Sequence, residues 1–325
     1  MNAQARTPDR KLLAPLLLIA ILFALVPRAY SEALAIPKAA SWIGLADLAV
    51  VVVTHRLGWR LGLASGWVLG LLATLAVAFQ GQPTAATLLM SVSAFGIGLT
   101  ARWQCQGVLV LLMLAPCFVV AESPIPCHNP EVLAFGGGLL GFTTLTATAT
   151  AWVERLGGFA PPPPQVSHGW NRALAFALLL AGTTAITTAI ALIHDWALMG
   201  GWLILSPLMV LRPHARDSWP RALHRALGTL IGVGLVHLMA LTAPGAIASP
   251  LLGMLFSAGT VLAAVKGWHH VLFIVFLTGA VVLFHSSASS VLALSQERLE
   301  ATLLGLGIAL GMMALVEAVF RHRDP

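Results

Sequence analysis

Two stretches of the sequence combine residues that could bind an anion within an apolar helix. In the first, Arg225, Thr229 and Gly232 occupy positions i, i+4 and i+7, so they share one helix face. Arg298 and Thr302 repeat this spacing 73 residues downstream, within the shared pattern R-x-x-x-T-L-[IL]-G-x-G. A guanidinium presents five N–H donors in a fork that fits a carboxylate, and a small residue lets a helix or ligand approach closely. The two stretches therefore predict substrate-binding positions at Arg225, Thr229, Arg298 and Thr302.

A competing interpretation places both arginines among lipid headgroups, because a long basic side chain near a helix end can reach outward to water. It has most force for Arg225, which follows a loop rich in arginine. Arg298 could instead pair with a neighbouring carboxylate, but Glu300 lies only two positions away, which is poor helical geometry for an ion pair. An unpaired charge at membrane depth is expensive, so each arginine needs a partner or a function.

Two further titratable residues lie inside apolar segments. Asp47 is the most deeply placed carboxylate, and His237 follows Arg225 by twelve residues. Both are candidates for proton coupling, since intramembrane carboxylates often relay protons and histidine titrates near neutral pH. A structural hydrogen bond for Asp47 and a packing role for His237 are the simpler alternatives. Threonines also cluster on two spans, where they either line a polar path or bond to backbone, at positions 143, 144, 146, 148, 150, 183, 184, 187 and 188.

The composition defines the elements that must hold these residues. Apolar residues make up 58% of the chain and charged residues only 9%, whereas a soluble protein carries about a quarter charged residues. The apolar runs are continuous and rich in leucine and alanine, which favours membrane-spanning helices over barrel strands. We predict an all-α polytopic membrane protein with twelve spans, at about 12–27, 41–54, 62–79, 84–100, 106–121, 132–152, 173–193, 196–211, 222–243, 250–265, 269–284 and 299–319. Several spans are short, which is typical of broken or re-entrant helices.

The distribution of basic residues predicts the orientation. With both termini in the cytoplasm, 15 of the 18 lysines and arginines fall on the inner side, and Arg298 is counted in an outer loop. This bias predicts a multi-pass protein of the cell inner membrane. Three predicted crossings separate Arg225 from Arg298, so the two motifs enter the membrane from opposite faces. A motif repeated in opposite orientation indicates an inverted repeat.

A run of four prolines at 161–164 divides the chain into two six-span halves. Such a run forms a stiff extended spacer. We therefore predict a first transmembrane half at 1–158, a cytoplasmic linker at 159–171 and a second half at 172–325. The first half lacks an arginine in its sixth span, where Glu131 stands instead. The N-terminal apolar stretch resembles a signal peptide, but we interpret it as an uncleaved first span.

Several functional classes receive little support from the sequence. The basic residues are spread over loops, which disfavours nucleic-acid binding, and the three cysteines have no metal-type spacing. No phosphate-cradling G-x-x-x-x-G-K-[ST] pattern occurs, and we predict no cofactor. His214 and the pair His269-His270 could support acyl or phosphoryl transfer, but no nucleophile or paired carboxylate accompanies them. We therefore predict that the protein is not an enzyme.

The two motifs also carry a family resemblance. The stretches H-R-A-L-G-T-L-I-G from His224 and R-L-E-A-T-L-L-G from Arg298 resemble the fusaric acid resistance (FUSC) and aromatic acid exporter family, which is distantly similar to plant aluminium-activated malate channels. The resemblance implies a six-span unit used twice, often in a dimer, and export of small aromatic or other organic acids beside a periplasmic adaptor protein. In the related channels, arginines at places matching Arg225 and Arg298 line an anion pore. This chain lacks the long cytoplasmic domain of the larger exporters.

The leading prediction is an inner-membrane transporter that exports small organic acids. A passive organic-anion channel is the first alternative, and it predicts flux that persists when the proton gradient is collapsed. A membrane scaffold that only recruits an adaptor is the second alternative. It predicts that neutralising Arg225 and Arg298 leaves function intact.

Overall fold

The computed structural model describes residues 26–34, 36, 39–123, 125, 129–158, 166–242, 250–285 and 291–321. Regular structure within these ranges is helical throughout, and residues 26–33 form a short helical segment. The main helices are α1 (Ala39–Leu57), α2 (Trp59–Ala78), α3 (Pro83–Leu99), α4 (Gln106–Ala121), α5 (Asn129–Leu156), α6 (Trp170–Ile193), α7 (Ala197–Val210), α8 (Ala215–Thr242), α9 (Pro250–Lys266), α10 (His270–His285) and α11 (Val291–Arg321).

Seven of these helices are long and apolar enough to cross a membrane, namely α1, α2, α3, α5, α6, α8 and α11. Helices α4, α7, α9 and α10 are apolar but shorter. The protein is therefore an all-helical, multi-pass membrane protein. Each predicted span from the second onward coincides with one of the eleven helices, whereas most of the first lies outside the described residues. The full count of twelve spans in two halves stays a prediction.

Helix α4 is interrupted, as short predicted spans led us to expect. A turn of α-helix at Gln106–Leu109 passes into a 3₁₀ segment, Val110–Met113, before α-helix resumes at Leu114–Ala121. Pro116 lies at the third position of the resumed helix, where its missing N–H needs no helical partner. The proline is therefore compatible with the new helical start at Leu114.

Two helix boundaries differ from the sequence predictions. Helix α8 begins at Ala215, about two turns before the predicted span, so Arg216 and Arg221 lie on the helix. Helix α11 begins at Val291, which places Arg298 about two turns inside a helix. Counting Arg298 as an outer-loop residue was therefore wrong. The predicted linker at 159–171 overlaps α6, which begins at Trp170, and its four prolines lie outside the described residues.

The pattern of helix–helix contacts is the same in both parts of the chain. In the second part, α7 packs against α11 and α10 packs against α8, while α8 and α11 contact each other. In the first part, α1 packs against α5 and α4 against α2, while α2 and α5 contact each other. An inverted repeat would produce the same pattern of contacts, and it stays a prediction.

Three aromatic rings connect the two parts through the centre of the molecule. The Trp42 ring on α1 stacks on Phe118 of α4 with centroids 5.0 Å apart, and Phe118 meets Trp202 of α7 edge-on at 4.4 Å. Gly201 permits this approach, since a Cβ there would lie 2.2 Å from the Phe118 ring. All three rings are buried, so they form a packed core between the first and second parts of the chain.

Candidate anion-binding site

Helix α8 turns its polar face inward and its apolar face outward. Leu223, Leu230 and Leu238 are 59%, 54% and 57% exposed, whereas Arg225 and Thr229 are completely buried. This is the reverse of a soluble amphipathic helix, and it suits a helix whose outer face meets lipid. Helix α11 buries Arg298 and Thr302 in the same way. The interpretation of the two arginines as lipid-headgroup residues is therefore wrong.

The Arg225 guanidinium lies between α8 and α7. Its Nη2 donates to Ser206 Oγ at 3.3 Å. Its Nε and Nη1 have no hydrogen-bond partner among the described residues, although both atoms are inaccessible. Each buried, unpaired donor costs about 1–3 kcal/mol, and more when the group is charged. Arg225 thus makes one hydrogen bond in the described structure and retains two nitrogen atoms with unused donors.

The Arg298 guanidinium is held from two sides. Its Nε and Nη2 both donate to Thr278 Oγ1 on α10, at 3.1 and 2.9 Å. Its Cζ lies 3.1 Å from the centre of a Trp202 ring, so the cation stacks on the end of the central aromatic core. Its Nη1 has no hydrogen-bond partner within the described part of the chain.

The two motifs support each other's arginine. Ser206 and Thr278, the residues that accept from Arg225 and Arg298, are separated by 72 residues, nearly the spacing of the motifs. A Cβ on Gly305 would lie 2.7 Å from the Ser206 Cβ, and one on Gly232 would lie 2.9 Å from the Thr278 Cβ. Gly305 of the second motif therefore contacts Ser206, which accepts the hydrogen bond from Arg225 of the first motif. Gly232 of the first motif contacts Thr278, which accepts the hydrogen bonds from Arg298 of the second motif.

The site carries positive charge with no matching carboxylate. Of the residues that the structure describes, none with a carboxylate forms an ion pair with Arg225 or Arg298. The two guanidinium groups lie within electrostatic range of each other, which makes the local charge still less favourable. The Thr229 and Thr302 hydroxyls are also buried without a partner there. Because a buried charge is normally paired, this arrangement is complementary to a small anion.

Both arginines are closed off from solvent in this conformation. Arg225 and Arg298 are each 0% exposed. An anion could reach them only after helices move apart, and packing of α8 on α11 and of α7 on α11 would have to change. The predicted residues Arg225, Thr229, Arg298 and Thr302 thus share one buried region, shielded from both surfaces.

Asp47 lies at the interface of α1 and α5, away from the arginines' own helices. Thr146 donates to its Oδ1 at 3.0 Å, and its Oδ2 has no hydrogen-bond partner in the described residues. Two turns further on, His55 Nδ1 lies 2.8 Å from Glu154 Oε1. Both contacts join residues 99 positions apart, so α1 and α5 run parallel. Sequence reasoning missed the His55–Glu154 pair, because nothing local to either residue indicates the other.

His237 connects α8 to α11. Its Nδ1 lies 3.1 Å from the Val233 carbonyl oxygen and 3.1 Å from Ser295 Oγ. These contacts suit the packing interpretation. The threonine face of α6 is mixed, since the Thr183 and Thr187 hydroxyls donate to backbone one turn earlier, whereas those of Thr184 and Thr188 have no partner among the described residues.

Sequence reasoning missed three residues that complete the site, Ser206, Trp202 and Thr278. The sequence indicates Ser206 and Thr278 only weakly. Each follows an apolar run, and the two residues are 72 positions apart, nearly the spacing of the two motifs. Trp202 has none, since its position under Arg298 depends on the packing of α7 against α11. For Trp202 the structure gives a direct contact with a site arginine.

The fold and the site define a multi-pass helical membrane protein with a buried cationic centre. Residues 184–312 match the family described as "Fusaric acid resistance protein-like", so the resemblance to that family is confirmed over this part of the chain. The match includes α7 to α10 and both arginine motifs. No curated protein and no solved structure matches the chain. The similarity to malate channels stays a prediction.

Proposed function

We propose that the protein transports small organic anions, and that it exports them across the cell inner membrane. One observation carries the proposal: two guanidinium groups are fully buried at corresponding places of a repeated motif, with unused N–H donors and no carboxylate paired to them among the described residues. A carboxylate bound between them would supply the missing charge and accept the unused hydrogen bonds. The family match supports transport over catalysis.

The closed position of the arginines favours a carrier over an open channel. A channel needs a continuous wet path, whereas a carrier exposes its site to one side at a time around a fixed centre. The complete burial of Arg225 and Arg298 suits an occluded state of such a cycle. The family description names resistance to fusaric acid, an organic acid, which supports outward transport of small, including aromatic, acids. A periplasmic adaptor and a homodimer are further parts of this proposal.

Asp47 is the better of the two predicted proton-coupling residues. One of its carboxylate oxygens is buried and has no hydrogen-bond partner in the described structure. His237 Nδ1, by contrast, lies in contact with both a carbonyl and a serine hydroxyl. We propose that Asp47 takes up and releases the proton that drives export.

Flux in proteoliposomes tests the proposed transport. Purified protein is reconstituted, and efflux of radiolabelled benzoate is measured with and without a pH gradient. We expect Arg225→Gln and Arg298→Gln each to lower the rate by about tenfold or more, because each removes charge-assisted hydrogen bonds to the anion. Arg298→Lys should recover little, since an ammonium cannot reproduce a fork that stacks on Trp202.

Arg155→Gln is the matched control, because Arg155 is exposed at the end of α5. It should leave the rate unchanged. Retained transport in both buried variants, with the protein folded and inserted, would reject the proposed function and favour the scaffold alternative. Flux that persists without a gradient and saturates only weakly would favour the channel.

A further inference from the structure

A large cavity lies beside the buried arginines, on the side that the charge bias assigns to the cytoplasm. Its volume is about 770 Å³, and it is lined by both parts of the chain. We name it the basic vestibule and define it by Arg56 on α1, Arg212 and His214 in the loop before α8, Arg221 on α8 and His270 at the start of α10. A cavity of this size is large enough for a small-molecule ligand.

The basic vestibule has an excess of positive charge. Three arginines line it, and Asp217 is the one carboxylate among the described lining residues. Burial, and after it the positive charge of Arg221, lowers the pKa of Arg212 to about 10, while Asp217 opposes the shift. Arg212 therefore stays charged at neutral pH in surroundings that disfavour its charge. A bound anion would relieve that cost.

Two arginines of the basic vestibule have guanidinium N–H donors without a hydrogen-bond acceptor in the described residues. Of the Arg212 guanidinium, only Nη2 donates within the described residues, at 3.4 Å to the Met209 carbonyl. Arg221 makes no hydrogen bond or ion pair in that part of the structure. Arg56 differs, because its Nη2 donates to the Ala264 carbonyl in the last turn of α9. Arg56 thus joins the two parts of the chain, while Arg212 and Arg221 remain for a ligand.

The basic vestibule leads toward the buried site. Arg221 and Arg225 are four residues apart on α8, so they lie on the same face one turn from each other. His270 lies within electrostatic range of both, and its Nε2 is buried without a partner in the described structure. Apolar residues complete the lining, among them Val110 and Leu111 of the 3₁₀ segment and Phe273. The cavity thus offers cations beside an apolar wall.

From this geometry we infer that the basic vestibule is a second, separate anion site, which loads an organic carboxylate from the cytoplasm before it passes to Arg225. The inference rests on the proposed function. Arg212 and Arg221 hold the carboxylate, the apolar wall contacts the body of the molecule, and His270 lies within electrostatic range of both this site and Arg225. The first part of the chain, which lacks the arginine motif, contributes to transport by forming one wall of this loading site.

Equilibrium dialysis of radiolabelled benzoate tests the site, with the full chain in phosphatidylcholine nanodiscs. We expect the wild type to bind benzoate and not its neutral isostere benzamide. Arg212→Gln and Arg221→Gln should each weaken binding by roughly tenfold or more, since each removes charge-assisted hydrogen bonds. Arg221→Gln is the decisive variant, because Arg221 makes no hydrogen bond or ion pair among the described residues that the substitution would remove.

Arg216→Gln is the matched control, because the Arg216 side chain is 85% exposed and does not line the cavity. It should bind benzoate like the wild type. Equal binding in Arg216→Gln and Arg221→Gln would overturn the inference. Loss of benzoate binding on adding phosphatidylglycerol to the nanodiscs would also overturn it, and would assign the cavity to an anionic lipid headgroup.

Failure of this site and failure of the proposed function give different results. Benzoate flux that needs Arg225 but is indifferent to Arg212 and Arg221 rejects only the loading site. Benzoate binding that needs Arg212 and Arg221, in a protein with no flux, rejects transport and leaves an anion-binding site.

Discussion

The two glycines at the end of the second motif, Gly305 and Gly307, should respond oppositely to substitution by alanine. A Cβ on Gly305 would lie 2.7 Å from the Ser206 Cβ and 3.0 Å from the Leu203 carbonyl oxygen. A Cβ on Gly307 would meet no atom within 4 Å among the described residues. Both substitutions gain the same helix propensity, about 1 kcal/mol, so the difference between the two variants isolates the contact with α7.

The size of that difference follows from the distances. Carbon atoms in contact normally lie about 3.5–4.0 Å apart, so Gly305→Ala forces α7 and α11 apart by roughly 1 Å. Overpacking of this kind costs about 1–3 kcal/mol. The same displacement would move Ser206, whose 3.3 Å hydrogen bond from Arg225 is already near the limit of hydrogen-bond range. Gly305→Ala should therefore be less stable than Gly307→Ala by about 1–3 kcal/mol, and it should also transport poorly.

Reversible unfolding in mixed micelles measures the stability of the two variants, and benzoate flux measures their function. The pair Gly232→Ala and Gly234→Ala repeats the test in the first motif, because Gly232 faces Thr278 and Gly234 faces open space in the described structure. Equal stability of Gly305→Ala and Gly307→Ala would refute the close helix contact. Lost stability with normal flux would show that Ser206 does not position Arg225 for transport.

Three further predictions concern other parts of the site. Trp202→Leu should destabilise the protein by about 3 kcal/mol and lower flux, since it removes both core volume and the ring under Arg298. Trp202→Phe should lose much less stability and flux, because it keeps a ring. Equal unfolding free energies for the two variants would contradict the stacking. Asp47→Asn should abolish flux driven by a pH gradient but leave downhill exchange of the anion, whereas His237→Gln should retain both kinds of flux. Gradient-driven flux at the wild-type rate in Asp47→Asn would show that Asp47 does not couple transport to protons. Burial, followed by the charges of Arg172 and His168, lowers the pKa of His214, while Asp217 opposes and Arg216 adds to the shift. Protonation of His214 adds positive charge to the basic vestibule, so benzoate affinity should rise as pH falls below the ordinary titration range of histidine. The rise should be less steep in His214→Asn, and identical slopes of affinity against pH in equilibrium dialysis would contradict this.

The helical fold and the inward face of the motif helices could be predicted because they depend on local pattern. Arg225, Thr229 and Gly232 share a face at any helical register, and eleven apolar runs became helices near their predicted positions. The helix starts were less predictable. Polar residues continue α8 and α11 beyond their apolar cores, so Arg298 lies on a helix instead of in a loop.

The partners of the arginines could not be predicted, because they come from helices far away in sequence. Trp202 meets Arg298 only through the packing of α7 on α11. Arg56 and Arg212 contributed only to the count of inner-side charges, since a cavity formed by both parts of the chain leaves no local trace. The sequence therefore predicted the charged centre of the site but neither its support nor the cavity beside it.

In the proposed function, Arg225 and Arg298 together bind one organic anion. A structure of the protein with 4-iodobenzoate would show this binding, because anomalous scattering from iodine locates the ligand. We predict a ligand whose carboxylate oxygens lie within about 3 Å of nitrogen atoms of both guanidinium groups. Iodine density confined to the basic vestibule or to lipid-facing surfaces, with both arginines still enclosed and unliganded at saturating ligand, would contradict the claim.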